Sequence, residues 1–374
     1  MSDFIEKFKC ALCDCEITND TDSKEHVIPQ SIGGRLKVKG FICKVCNNTK
    51  GDSWDAELAR LLNFFSLFLG ISRERGEPPS QLVRHMDTNG NFRELVFLPD
   101  GSYKIPKPIY KVTNNGDVPQ LSIQAANKNQ FKQLLGRAKK QFPKLDADHL
   151  FNKASVEHDF SQKIFNTSIE LIDDVQSGKS AIKSCLALAA YHGIKPQNCL
   201  HGLDYLKNSE AKPCFGYFYE RDLVLNRPND TVFHCVAITG NNQSKQLFGY
   251  IEYFGIHRIV AILSDNYEGE DFSHVHAINP VTSEYLDIEI DMSFSKNDIE
   301  DILQNNQLPL ISKGFAQIMP IIQAKRAKDR IDSILDVSIE YAFANCGAKK
   351  DELLTEEQLR KLQILLINKF QQLI

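Results

Sequence analysis

No stretch of the chain is apolar for long enough to cross a bilayer. The most apolar one, Leu61 to Ile71, carries Asn63 and Ser66 and falls well short of the ~20 residues a span needs. The N-terminus, Met-Ser-Asp-Phe-Ile-Glu-Lys, has no basic stretch followed by an apolar run. A signal peptide is therefore not expected, and the chain reads as cytoplasmic with its thiols reduced. Walker-type loops and the Rossmann glycine fingerprint are both missing, which argues against ATP and dinucleotide chemistry. There is no internal repeat and no low-complexity segment. Charge of one sign is also scarce. Lys and Arg number 44 against 48 Asp and Glu, for a net −4. The chain as a whole is no basic nucleic-acid coat, although a local patch can still bind. Hydrophobic residues at 42% and charged residues at 25% exclude disordered, collagen-like and disulfide-scaffold classes.

What is present begins with length. At ~150 residues per domain, 374 residues predict two or three domains. Residues 1–52 show little helical period. Ser53 then reads as an N-cap, with Trp54, Leu58, Leu61, Leu62, Phe65 and Leu69 at helical spacing and Gly70 as a stop. The charged, Pro-containing run that starts at Ser72 reads as a linker. The expected division is 1–72, a linker at 73–81, and 82–374, with a break between two subdomains near 150–175.

Residues 82–125 read as short strands around Asn89-Gly90, Asp100-Gly101 and Asn115-Gly116. A basic helix is expected over 128–142 and a buried helix over Ser180 to His192. Strands are expected over Thr231 to Thr239, Gln246 to Phe254, Arg258 to Leu263 and Tyr285 to Ile290. Two helices close the chain, Ile318 to Phe343 and Glu356 to Ile374, the second with an apolar face that predicts internal packing. With no alternating βαβ pattern, the fold class is α+β, with antiparallel strands and C-terminal helices.

Ten cysteines are unevenly placed, five of them in the first 46 residues. Cys10-Ala-Leu-Cys13 and Cys43-Lys-Val-Cys46 are two Cys-x2-Cys knuckles separated by 29 residues. Four thiolates offered in pairs suit tetrahedral zinc, so these four are the expected ligands of a structural Zn²⁺. Cys15 is a spare thiol or an alternative ligand, the former preferred.

Between the knuckles lies Glu25-His26-Val27-Ile28-Pro29, followed by Gly33-Gly34. After the second knuckle comes Asn47-Asn48-Thr49-Lys50-Gly51-Asp52. This combination resembles the HNH endonuclease family, in the branch whose ββα-metal core is buttressed by a four-cysteine zinc. The resemblance covers about one-sixth of the chain. It implies a small ββα-metal domain that hydrolyses phosphodiester bonds. By the same resemblance His26 is the general base, Glu25 and Asn47 hold a catalytic divalent cation, and Asp52 is a further candidate ligand, with Asn48 behind it. Carboxylate and amide oxygens suit Mg²⁺ or Mn²⁺ better than zinc. Two positions depart from the family pattern. Val38 stands where the middle Asn is usual, nine residues before Asn47, and Gly51 stands where the closing His is usual.

Between Arg35 and Lys50 lie five basic residues, Arg35, Lys37, Lys39, Lys44 and Lys50, and no acidic one. They form a nucleic-acid-binding patch or a solvated loop face. The groups Arg137/Lys139/Lys140/Lys144 and Lys325/Arg326/Lys328/Arg330 read as solvated helix faces. His234 reads as a core histidine; His257, His274 and His276 with Asp265 or Glu270 are a minor alternative site. The expectation is an endonuclease acting on nucleic acid, double-stranded DNA above all. The remainder would serve as a sensor or substrate-positioning region, as in effectors of antiviral defence systems, with a homo-oligomer or a defence-system protein as partner. The competing expectation is a catalytically inactive, zinc-stabilised nucleic-acid-binding module.

Overall fold

The computed structural model describes residues 8–86, 90–115, 118–154, 164–166, 175–304, 308–349 and 351–374. The turn residues Asn89 and Gly116 and part of the expected 150–175 break lie outside them. The chain divides into two compact units, Met1–Pro79 with Ile169–Lys325, and Ser80–Ser168 with Arg326–Ile374. The break at Pro79/Ser80 falls within the expected linker at 73–81, but residues 169–325 group with the N-terminal segment rather than with the rest of 82–374. The physical cause of this grouping is helix Val175–Tyr191, which is buried along most of its length and packs against helix Asp52–Leu61 on one side and the strands His234–Asn241 and Gln246–Tyr253 on the other.

In the first unit six strands form one antiparallel sheet. Their order is Tyr285–Leu286, Phe272–Ile278, His234–Asn241, Gln246–Tyr253, His257–Ser264 and Phe215–Tyr217. The strands next to the helix, His234–Asn241 and Gln246–Tyr253, are buried along nearly all of their length. Of the four expected strands in this region, three occur nearly as read. The fourth shrinks to Tyr285–Leu286, and Ile290 makes only an isolated bridge to Val224. Phe272–Ile278 was not expected as a strand, because its polar Ser273, His274 and His276 interrupt the apolar pattern.

The second unit holds a four-stranded antiparallel sheet ordered Tyr103–Lys104, Phe92–Phe97, Gln81–Met86, Ile164–Asn166, and a separate hairpin of Ile109–Asn115 and Val118–Gln124. Helices Lys128–Gln141 and Ala147–Lys153 follow the hairpin. Phe97 is buried and stacks on Tyr103 at 4.8 Å. Arg326 lies over that pair and donates to the Gly101 carbonyl, so this member of a basic group is a packing residue. Helix Ser312–Asn345 contains Pro320. The last helix, Glu356–Leu373, is closed by a Thr355–Gln358 capping box, but none of its residues is fully buried. Its apolar face is half-exposed rather than packed inside as expected. No helix among the described residues is long and apolar enough to cross a membrane.

Candidate active site

The N-terminal site is assembled by a two-residue strand pair, Glu25–His26 with Lys37–Val38, and by a helical segment that starts at the second knuckle. The helix was expected to begin at Ser53. It begins at Lys44 instead, with Cys43 as its cap, and runs into Asp52–Leu61 through a widened π-type turn over Asn47–Gly51. Ser53 sits inside it and donates its hydroxyl to the Lys50 carbonyl. The apolar pattern starts late only because the first turns carry thiol and amide chemistry. Gly70 does end the apolar run, in the left-handed conformation.

Cys10, Cys13, Cys43 and Cys46 bring their sulfurs within 4.8 Å of one another. The Cys13 and Cys43 sulfurs lie 3.8 Å apart; thiolates at ~2.3 Å from a tetrahedral zinc would be separated by ~3.8 Å. The Cys43 amide donates to the Cys10 sulfur at 3.3 Å and the Cys46 amide to the Cys43 sulfur at 3.5 Å. Donors aimed at sulfur favour the thiolate. The four residues could hold a zinc ion, and their donor set fits one. Cys15 is exposed and stands outside the group, its sulfur 3.3 Å from that of Cys13.

Alternation along the strand sends Glu25 and His26 to opposite sides. His26 is half-buried at the edge, its Nε2 3.4 Å from Glu74 Oε2. Glu74 also accepts from Lys37 at 2.7 Å, and Lys37 is the cross-strand partner of His26. Burial pushes the imidazole below its usual range; Glu74 opposes that shift and Lys37 adds to it. The ring is therefore neutral at pH 7, the form that can accept a proton. The Gly33-Gly34 turn brings the chain back from this strand. Gly33 has φ +101, and a Cβ on Gly34 would lie 1.8 Å from the Ile28 carbonyl oxygen.

Glu25 points inward and is buried. Its carboxylate accepts from the ammonium of Lys183, which also donates to Asp55 Oδ2 at 2.8 Å. The other Asp55 oxygen accepts from Ser180 at 2.6 Å. Burial raises the Glu25 pKa and Lys183 opposes that rise. Burial works against the Lys183 ammonium too, but Asp55 and Glu25 together outweigh it and hold its pKa above the ordinary lysine range. One ammonium thus serves two carboxylates, of which Glu25 is the deeper.

Asn47 lies in the widened turn with its amide oxygen against Gly51. A Cβ on Gly51 would stand 2.5 Å from Asn47 Oδ1 and 3.7 Å from Lys183 Nζ. Asp52 and Asn48 are exposed. Val38, at the position of the usual Asn, is buried opposite Glu25.

Of the basic residues, Lys37 is held by Glu74, Arg35 donates to the Ser72 carbonyl and to Ser283 Oγ, and Lys44 donates to the Asp20 carbonyl. Lys39 is exposed, and Lys50 lies close enough to Lys179 to help lower its pKa, after burial. His234 is buried, its Nε2 paired with the Ile32 carbonyl and its Nδ1 accepting from the Phe254 amide. The minor alternative site is not assembled. Two strands lie between His257 and the strand of His274 and His276, and Asp265 pairs with His201.

Sequence reading missed three members of the site: Glu74, Asp55 and Lys183. Glu74 falls in the stretch read as linker. Asp55 reads as an ordinary helical acid. Lys183 lies 158 residues from Glu25, and its one local signal is a charge inside an apolar helical run.

Residues 10–63 match the family model of the HNH endonucleases. No curated protein and no solved structure matches the chain. The N-terminal segment therefore carries an HNH endonuclease domain, and such domains use divalent metals. Glu25, the carboxylate that the resemblance assigns to such an ion, does not fit one with the side chains as they stand. Its charge is already met by Lys183, and a divalent ion beside that ammonium would be repelled in a buried site.

Proposed function

We propose that the N-terminal segment hydrolyses phosphodiester bonds in nucleic acid, with His26 as general base. A nitrogen of the neutral ring takes a proton from water, the water oxygen bonds to phosphorus, the ester P–O bond breaks, and the leaving oxygen takes a proton from solvent. The observation that supports this reading best is the half-buried, neutral His26 inside the matched segment. The basic residues between Arg35 and Lys50 offer the charge that a phosphate backbone needs at such a site. Double-stranded DNA is the substrate we propose, and service as a defence effector is the role proposed for the whole chain, by analogy alone.

A second reading, a nucleic-acid-binding module without catalysis, is favoured by two observations. The closing His is replaced by Gly51, and Glu25 is neutralised from within the protein. Supercoiled plasmid and labelled RNA, incubated with wild type and His26→Ala and analysed for both cleavage and gel shift, separate the two. Cleavage by wild type that a folded, zinc-loaded His26→Ala protein loses, with affinity retained, supports the nuclease. Binding without cleavage by either protein supports the module.

A further inference from the structure

Lys183 stands in an unusual place for a lysine. Its side chain is completely buried, on a helix otherwise lined by Ala181, Ile182, Cys185 and Leu186. An isolated ammonium in such surroundings would lose its proton, so the site has to supply counter-charge, and it does so twice. The two carboxylates come from different elements, Glu25 from the strand pair and Asp55 from helix Asp52–Leu61. Ser180, one turn earlier on the same helix as Lys183, takes up the remaining Asp55 oxygen. Both Asp55 oxygens and one Glu25 oxygen thus have partners within the protein.

Gly51 supplies an independent observation. It is the position at which the resemblance to the HNH family implies a closing histidine. Here the backbone carries no side chain, and the Lys183 ammonium comes within 3.7 Å of where its Cβ would be. The Gly51 position and the Lys183 ammonium thus lie side by side. A histidine at 51 would have to displace Asn47, and it would face an ammonium rather than a metal ion.

We propose that Lys183 supplies the cation at Glu25 in place of a divalent metal, and that this carboxylate is closed to Mg²⁺ and Mn²⁺ while helix Val175–Tyr191 is docked. Lys183 is then a positioning residue. It fixes Glu25, and through the strand the adjacent His26, without itself reaching a substrate. The inference rests on the reading of Glu25 as the domain's metal-side carboxylate, but its test does not depend on cleavage.

The test is a Mn²⁺ titration of the zinc-loaded full chain, followed by loss of the free-ion electron paramagnetic resonance signal. The proteins are wild type, Glu25→Gln, Lys183→Met, and Lys183→Met combined with Glu25→Gln, each checked for zinc content and melting temperature. Wild type and Glu25→Gln should titrate alike. Lys183→Met should gain one Mn²⁺ equivalent, at least tenfold tighter than any wild-type binding, and the double variant should lose it. A wild-type equivalent of Mn²⁺ that Glu25→Gln removes would overturn the proposal, and that comparison stands even if Lys183→Met fails to fold. A folded Lys183→Met protein with no added Mn²⁺ would overturn it as well. Failure of wild type to cut nucleic acid, by contrast, counts against the nuclease reading and leaves this titration interpretable.

Discussion

At the scale of single residues, the site is organised by what is buried with what. Removing one partner of a buried ion pair leaves the other charge without compensation and typically costs ~3–5 kcal/mol. Lys183→Met should therefore lower stability by about that amount at pH 8. The loss should shrink near pH 5, because the Glu25 pKa is already raised by burial and the acid can take up a proton. Urea unfolding midpoints at the two pH values check this, and an equal loss at both contradicts it. Gly34 makes a second, purely steric claim. A methyl group there would lie 1.8 Å from the Ile28 carbonyl oxygen, a backbone atom that cannot swing aside. Gly34→Ala should cost ~3 kcal/mol or more, at the upper end of overpacking penalties, read in the same unfolding experiment. The cysteine cluster was legible in the sequence because its chemistry is local: two knuckles of the same spacing. Lys183 was not, because its partners lie far away in sequence and an apolar helix gives no reason to expect them.

At the scale of elements, the second knuckle and the long helix are one piece. Cys43 caps it, Cys46 lies in its first turn, and the widened turn at Asn47–Gly51 joins it to Asp52–Leu61. Widened turns of this kind are frequent at functional sites, since they shift the following side chains around the axis. If zinc organises the two knuckles, stripping it should release the 10–52 segment while the rest of helix Asp52–Leu61 stays docked. Limited proteolysis with and without a strong chelator reads this: new cuts should fall between Cys10 and Cys43. A cutting pattern unchanged by the chelator would show that the segment holds without metal. Here the sequence was misleading in an instructive way. Helix periodicity starts at Trp54 because the turns before it carry thiol and amide side chains, so the expected start at Ser53 marks the start of the apolar pattern and not the first hydrogen bonds.

At the scale of the whole molecule, the strands of the large sheet were legible where both faces are apolar, as in His257–Ser264, and lost where histidines interrupt the pattern, as in Phe272–Ile278. The pairing of the N-terminal segment with residues 169–325 was not legible, since no local pattern encodes which distant helix covers it. Those interrupting and core histidines carry a global consequence. Burial pushes His234, His257 and His276 down to about 4, against ~6.5 in an unfolded chain. Between those values the unfolded chain binds protons that the folded one refuses. Stability should thus fall as pH drops from ~6.5 toward 4, by up to ~1.4 kcal/mol per pH unit for each ring. Unfolding midpoints that stay flat over that window would contradict the assignment of these rings as neutral and buried.

The claim that the N-terminal segment is a nuclease driven by His26 meets its most direct test in the pH dependence of single-turnover plasmid cleavage. A base whose pKa is lowered by burial is already deprotonated at neutral pH. The wild-type rate should rise through the acidic range, level off by pH 7, and disappear in a folded His26→Ala protein. A rate that keeps climbing above pH 7, or one that survives the substitution with the same profile, would contradict it.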